Sequence, residues 1–229
     1  MLRKTLEMLA LTLPLIVGSS SPAYTQQPSP YTTHSRPPVY AQASEDLSTR
    51  LLREADELAK KNPVSAIPFY RTIINKGGTR KEEAIESLLN IYRSITDEMY
   101  SDSEKYNPKF IKDAFKFYSE AENSSIHRAK AKLFSGISSS RSQTPQDYDN
   151  AIKKLKEAYD IGDDEVKAEA ALNLAFVYLN YSYGLRDNGR IVKRYSLFDA
   201  KKYFELVIDL APNSELAQKA RNILERVSF

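Results

Sequence analysis

Residues 196–213, SLFDAKKYFELVIDLAPN, set Ala200, Phe204 and Val207 four and then three positions apart and place Pro212 just beyond them. Spacings of three and four bring side chains onto one face of an α-helix, and a proline past the last turn ends it. A helix with one apolar face gains little stability alone and buries that face on a neighbour. The same pattern, a small residue followed by larger apolar ones at helical spacing, recurs upstream. It is found at Ala66 with Tyr70 and Ile73, at Ala114 with Tyr118 and Ala121, and at Ala151 with Leu155 and Ala158. The four small residues lie 48, 37 and 49 positions apart. Recurrence on that scale is the signature of stacked helix pairs, each burying its face on the next.

A second series alternates with the first. Leu51, Ala55 and Leu58 share one face, as do Leu88, Leu89 and Tyr92, then Leu133, Phe134 and Ile137, then Ala171, Leu174, Ala175 and Tyr178. Leu216, Ala217, Ala220, Ile223, Leu224 and Val227 form a last amphipathic helix suited to closing a stack. Local punctuation supports these spans. Asn62-Pro63, Asn107-Pro108 and Thr144-Pro145 each pair a cap residue with proline at the first helical position. Thr79 with Glu82 reads as a capping box, Gly77-Gly78 and Gly162 as stops, and Pro68 as a bend inside the second helix. Only seven glycines in 229 residues, and no tryptophan, suit helices better than strands joined by turns. The predicted class is all-α, about four helix pairs plus a C-terminal capping helix.

Several of these motifs carry a resemblance to the tetratricopeptide repeat family over roughly residues 46–227. Leu174-Ala175 with Tyr178 is similar to that family's first-helix pattern, and Leu88-Leu89 with Tyr92 follows it more loosely. Ala114-Tyr118-Ala121 and Ala151-Leu155-Ala158 resemble its second-helix pattern, and Pro212 stands where the family keeps a proline. The resemblance implies an α-α superhelix. The repeats here are longer than the family's, with the surplus expected as loops at residues 97–107, 139–144 and 183–195. It also implies a groove lined by the first helices of the pairs, and the matched positions point to Glu86, Asn90 and Arg93, to Arg128 and Ser135, and to Phe176, Leu179 and Asn180. The Lys and Asn set with which some relatives clamp a C-terminal carboxylate is not reproduced.

The N-terminal part reads differently. Arg3 and Lys4 precede an apolar run from Met8 to Gly18 and then small residues, the three-part form of a secretory signal. The run is too short to span a bilayer, so residues 1–23 are expected to be a signal peptide, with no transmembrane span after cleavage. Residues 24–44 are rich in Pro, Ser, Thr and Tyr without hydrophobic period, and are expected to be a disordered linker before a helical domain at 45–229. The expected location is the periplasm or cell envelope, or outside the cell.

The chemistry is sparse. The sequence has no cysteine, which excludes disulfides, thiolate metal sites and thiol nucleophiles. Only His34 and His127 are present, too few for a triad with an identifiable partner or a two-histidine metal site. Acidic pairs such as Glu82-Glu83 and Asp163-Asp164 stand at helix starts, where the helix dipole favours them. No enzyme activity, cofactor or metal is expected. With 33 basic against 30 acidic residues, nothing global favours nucleic acid. A local exception is GLRDNGRIVKRY at 184–195, where Arg186, Arg190, Lys193 and Arg194 flank a hairpin-type turn at Asp187-Asn188-Gly189. These features lead to an expected exported, non-enzymatic scaffold that binds a protein or peptide in its groove. The alternative is an intracellular or membrane-surface protein that uses loop 184–195 to bind nucleic acid or anionic lipid.

Overall fold

A computed structural model describes residues 46–101, 109–141, 145–182, 185–187, 190–193 and 197–227, all within one compact unit, Ser44–Phe229. The expectations for residues 1–45, for Asn107-Pro108 and for Arg194 fall outside the described residues. The fold is all-α. Among the described residues there are nine helices: α1 Leu47–Lys61, α2 Pro63–Lys76, α3 Lys81–Ser101, α4 Lys109–Ala121, α5 Arg128–Ser140, α6 Pro145–Ile161, α7 Asp164–Ser182, α8 Leu197–Leu210 and α9 Glu215–Arg226. Two short strands, β1 Leu185–Asp187 and β2 Arg190–Lys193, pair antiparallel between α7 and α8. Each helix packs on the next in sequence. In addition, α1 touches α3, α3 touches α5, α5 touches α7 and α7 touches α9.

The apolar faces read from the sequence are the buried ones. Ala66, Ala114, Ala151 and Ala200 have no exposed surface, and Tyr70, Tyr118, Leu155 and Phe204 beside them are fully buried. One hydrophobic cluster runs from Leu52 in α1 to Ala200 in α8, and a second joins Ala171, Leu172 and Ala175 of α7 to Phe204, Val207 and Ala220. Small residues set the approach of neighbouring helices. A Cβ placed on Gly136 of α5 would stand 2.8 Å from Leu155 Cγ and 3.1 Å from the Leu155 backbone nitrogen of α6.

The helix ends show where local signals hold and where tertiary contacts redirect them. The Asn62 side chain accepts from the Ser65 amide at 3.3 Å, and its own amide donates to Leu58 O, so one residue closes α1 and opens α2. Gly77 and Gly78 end α2 at φ values of 68° and 119°, which side chains with a Cβ rarely adopt. The capping box does not form, because α3 begins at Lys81 and the Thr79 hydroxyl donates to Asp46 at the entry of α1 instead. Glu82 is likewise taken up elsewhere, facing His127 and Ser124. The loop expected from residue 97 is also corrected. Ile91, Ile95 and Met99 extend the buried stripe at fours, and α3 continues through Asp97 and Glu98 to Ser101.

Candidate functional site

Because α3, α5 and α7 touch in sequence, polar stripes at helical spacing on these three helices meet on one surface. From α3 come Glu82, Glu86, Arg93 and Asp97, from the start of α5 His127 and Lys130, and from α7 Glu165 and Glu169. Arg93 stands at the centre, with a side chain only 17 % exposed. Its Nε donates to Asp97 at 2.7 Å, its guanidinium reaches Glu169 at 3.4 Å, and its Cζ lies over the Phe134 ring, 5.3 Å from the centroid. A guanidinium held by carboxylates and an aromatic face is the geometry in which arginine differs most from lysine. Arg141 pairs with Asp97 from the end of α5, so the Asp97 carboxylate joins two cations.

At the other end of the stripe Lys130 pairs with Glu86. His127 is 5 % exposed and lies between two carboxylates, Nδ1 at 3.2 Å from Glu86 and Nε2 at 3.1 Å from Glu82. The Nε2 approach lacks hydrogen-bond geometry, and that nitrogen makes no hydrogen bond. Burial pushes the Glu169 carboxyl above its usual range; Asp97 and Glu165 add to the effect, while Arg93 and Lys130 oppose it. Between α5 and α7 these side chains border a hollow of about 490 Å³, with Leu133 and Val166 among its walls and Ile126 and Ile161 at its edge.

Of the residues expected in a groove, Glu86 and Arg93 belong to this surface, and Asn90 lies exposed between them in sequence on α3. Arg128 lines the hollow, and its Nε donates to the Glu122 carbonyl at 3.0 Å. Ser135 is buried in α5. Phe176 packs edge-on to Phe204, with Lys219 of α9 over its ring, and Leu179 joins the hydrophobic clusters. Asn180 is exposed near the end of α7. Arg186, Arg190 and Lys193 lie on the two strands, away in sequence from the stripe.

His127, Lys130, Asp97, Glu165 and Glu169 were not selected from the sequence. The available signal was Glu165 with Glu169, like charges one turn apart on the same helix face, which destabilise an isolated helix and so ask for an external reason.

The site therefore defines a class of surface: two partly buried sets of ion pairs, one joining α3, α5 and α7 and the other α3 and the start of α5, beside an open hollow. Among the described residues no group of three or more His, Asp or Glu side chains is placed to hold a metal ion, and no helix is long and apolar enough to cross a membrane. No family model, no curated protein and no solved structure matches the chain.

Proposed function

We propose that this protein is an exported, non-enzymatic scaffold that holds a protein or peptide segment along the surface of α3, α5 and α7. In this reading its helix pairs are degenerate tetratricopeptide-like repeats with inserted segments, closed by α9. The observation that carries the reading is the succession of contacts among the odd-numbered helices, which gathers charged groups of three helices on one face. Partial burial of ion pairs such as Arg93 with Asp97 and Glu169 costs desolvation that simple core packing does not require. Such a surface favours a partner of complementary charge and discriminates against others.

Binding through this face is tested with Asn90→Arg, a substitution at an exposed position, and with Lys153→Glu on the exposed side of α6 as control. Partner recovered with the tagged full chain from native cells is expected to fall away with Asn90→Arg and to persist with Lys153→Glu. Equal recovery by Asn90→Arg and the parent chain, with both folded, would overturn the assignment.

The second reading, binding of nucleic acid or anionic lipid through residues 184–195, draws on the antiparallel pairing that sets Arg186 opposite Ile191 and Arg190 opposite Asp187. Counterion release gives such binding a steep salt dependence, so a log-log salt slope near zero discards it.

A further inference from the structure

The hollow between α5 and α7 has a composition of its own. Four carboxylates line it, Glu86, Asp163, Glu165 and Glu169, against two cations, Arg128 and Lys130. Both cations are already engaged, Lys130 with Glu86 and the Arg128 Nε with the Glu122 carbonyl. Glu169 shares Arg93 with Asp97, and no basic side chain pairs with Glu165 among the described residues. The pocket wall thus carries an excess of negative charge in a place where Glu169 is already poorly solvated. An incoming cation relieves both the like-charge repulsion and the burial of that carboxylate.

A second observation is independent of charge. Among the described residues four large hydrophobic side chains stand exposed, and two of them, Ile126 at 69 % and Ile161 at 51 %, flank this one hollow. Ile126 stands in the turn before α5 and Ile161 is the last residue of α6, so two different elements supply them. At about 490 Å³ the hollow is within the range of sites that enclose a ligand group. Exposed aliphatic side chains around a partly apolar, net acidic cavity match a segment that offers the reverse combination.

We propose that this hollow anchors the partner segment and takes a lysine or arginine side chain flanked by aliphatic residues. The anchor rests on the scaffold reading above and specifies the chemistry of what it holds. The cationic end meets Glu165 and Glu169, and the flanking aliphatic residues cover Ile126 and Ile161.

The probes are short peptides Gly-Leu-Xaa-Leu-Gly with Xaa as Lys, Gln or Glu, titrated into the isotope-labelled full chain and followed by amide chemical shifts. The Lys peptide is expected to move amides of residues 126–130 and 161–169 and to bind about tenfold or more tighter than the Gln peptide, with the Glu peptide weakest. Glu165→Lys is expected to reduce Lys-peptide affinity by about tenfold, and Ile161→Ser by a smaller factor. Lys153→Glu, at an exposed position that does not line the hollow, is expected to leave this short probe unaffected. Equal binding of the three peptides, no binding of any, or Lys-peptide binding indifferent to Glu165→Lys would overturn the anchor. Loss of the native partner with Asn90→Arg but not with Glu165→Lys would overturn it while leaving the scaffold reading in place.

Discussion

Gly136 provides the most direct test of how closely the helices pack. It lies in the middle of α5, where replacing glycine by alanine ordinarily stabilises a helix by about 1 kcal/mol. Here the added methyl would stand 2.8 Å from Leu155 Cγ, 3.0 Å from Leu155 Cδ2 and 3.1 Å from the Leu155 backbone nitrogen. The near atoms are a branch point and a backbone atom, neither of which can swing away as a side-chain tip can. Overpacking of this kind costs about 1–3 kcal/mol, so after the propensity gain Gly136→Ala is expected to destabilise the protein by up to about 2 kcal/mol. For a chain of this size that lowers the thermal midpoint by about 2–4 °C per kcal/mol, measurable by circular dichroism. Leu155→Ala alone should cost about 2–5 kcal/mol through its cavity. In the Leu155→Ala background the Cγ and Cδ2 contacts are gone and only the 3.1 Å approach to the backbone nitrogen remains, so Gly136→Ala should cost less than in the parent chain, a coupling that a double-mutant cycle reads directly. Stabilisation by Gly136→Ala in the parent chain would show that α5 and α6 do not approach as described.

Other outcomes follow from the same packing. Phe204, fully buried in the α7–α9 cluster, should lose about 3–5 kcal/mol on change to Ala and less than about 1.5 kcal/mol on change to Leu, read from urea midpoints. The Tyr118 hydroxyl is pushed up from 10.0 to about 12, mainly by burial. The folded state therefore keeps its proton to higher pH than the unfolded state, and this contribution is intact below pH 10 and lost as pH rises towards 12. Tyr118→Phe should flatten the stability loss in that window, leaving the part due to Tyr70, Tyr92, Tyr148 and Tyr203, which burial shifts in the same direction. For the N-terminal region, the prediction is that the chain recovered from an exported fraction begins after residue 18, by mass spectrometry, whereas an intact Met1 in the cytoplasm would overturn export.

What was legible in the sequence was the inward face of each helix, because burial selects it and the spacing of Ala, Leu and Tyr records that selection. Ala66, Ala114, Ala151 and Ala200 are read from spacing alone and are all fully buried. Element ends were less legible where a distant group competed with a local one, as when Asp46 takes the Thr79 hydroxyl that a capping box would use. The extension of α3 was hidden by Asp97 and Glu98, which look like loop residues until Met99 is seen to be buried behind them. The site was the least legible part. A charged side chain facing outward on one helix looks the same in sequence whether it meets water or a neighbouring helix, so Lys130 and Asp97 gave no distinguishing signal, and Glu169 gave one only through Glu165 a turn before it. On α7 apolar residues occur around much of the circumference, and Phe176 and Leu179, carried over by motif, pack into the hydrophobic clusters rather than joining the charged stripe.

In the scaffold reading a partner occupies the surface of α3, α5 and α7. Placing a photoreactive amino acid one position at a time at Asn90, Glu165, Lys112 and Lys153 of the full chain in native cells tests that most directly. If a partner lies there, Asn90 and Glu165 give one shared adduct, and Lys112 on α4 and Lys153 on α6 give none. The same adduct from all four positions, or adducts from Lys112 and Lys153 alone, would contradict the scaffold reading.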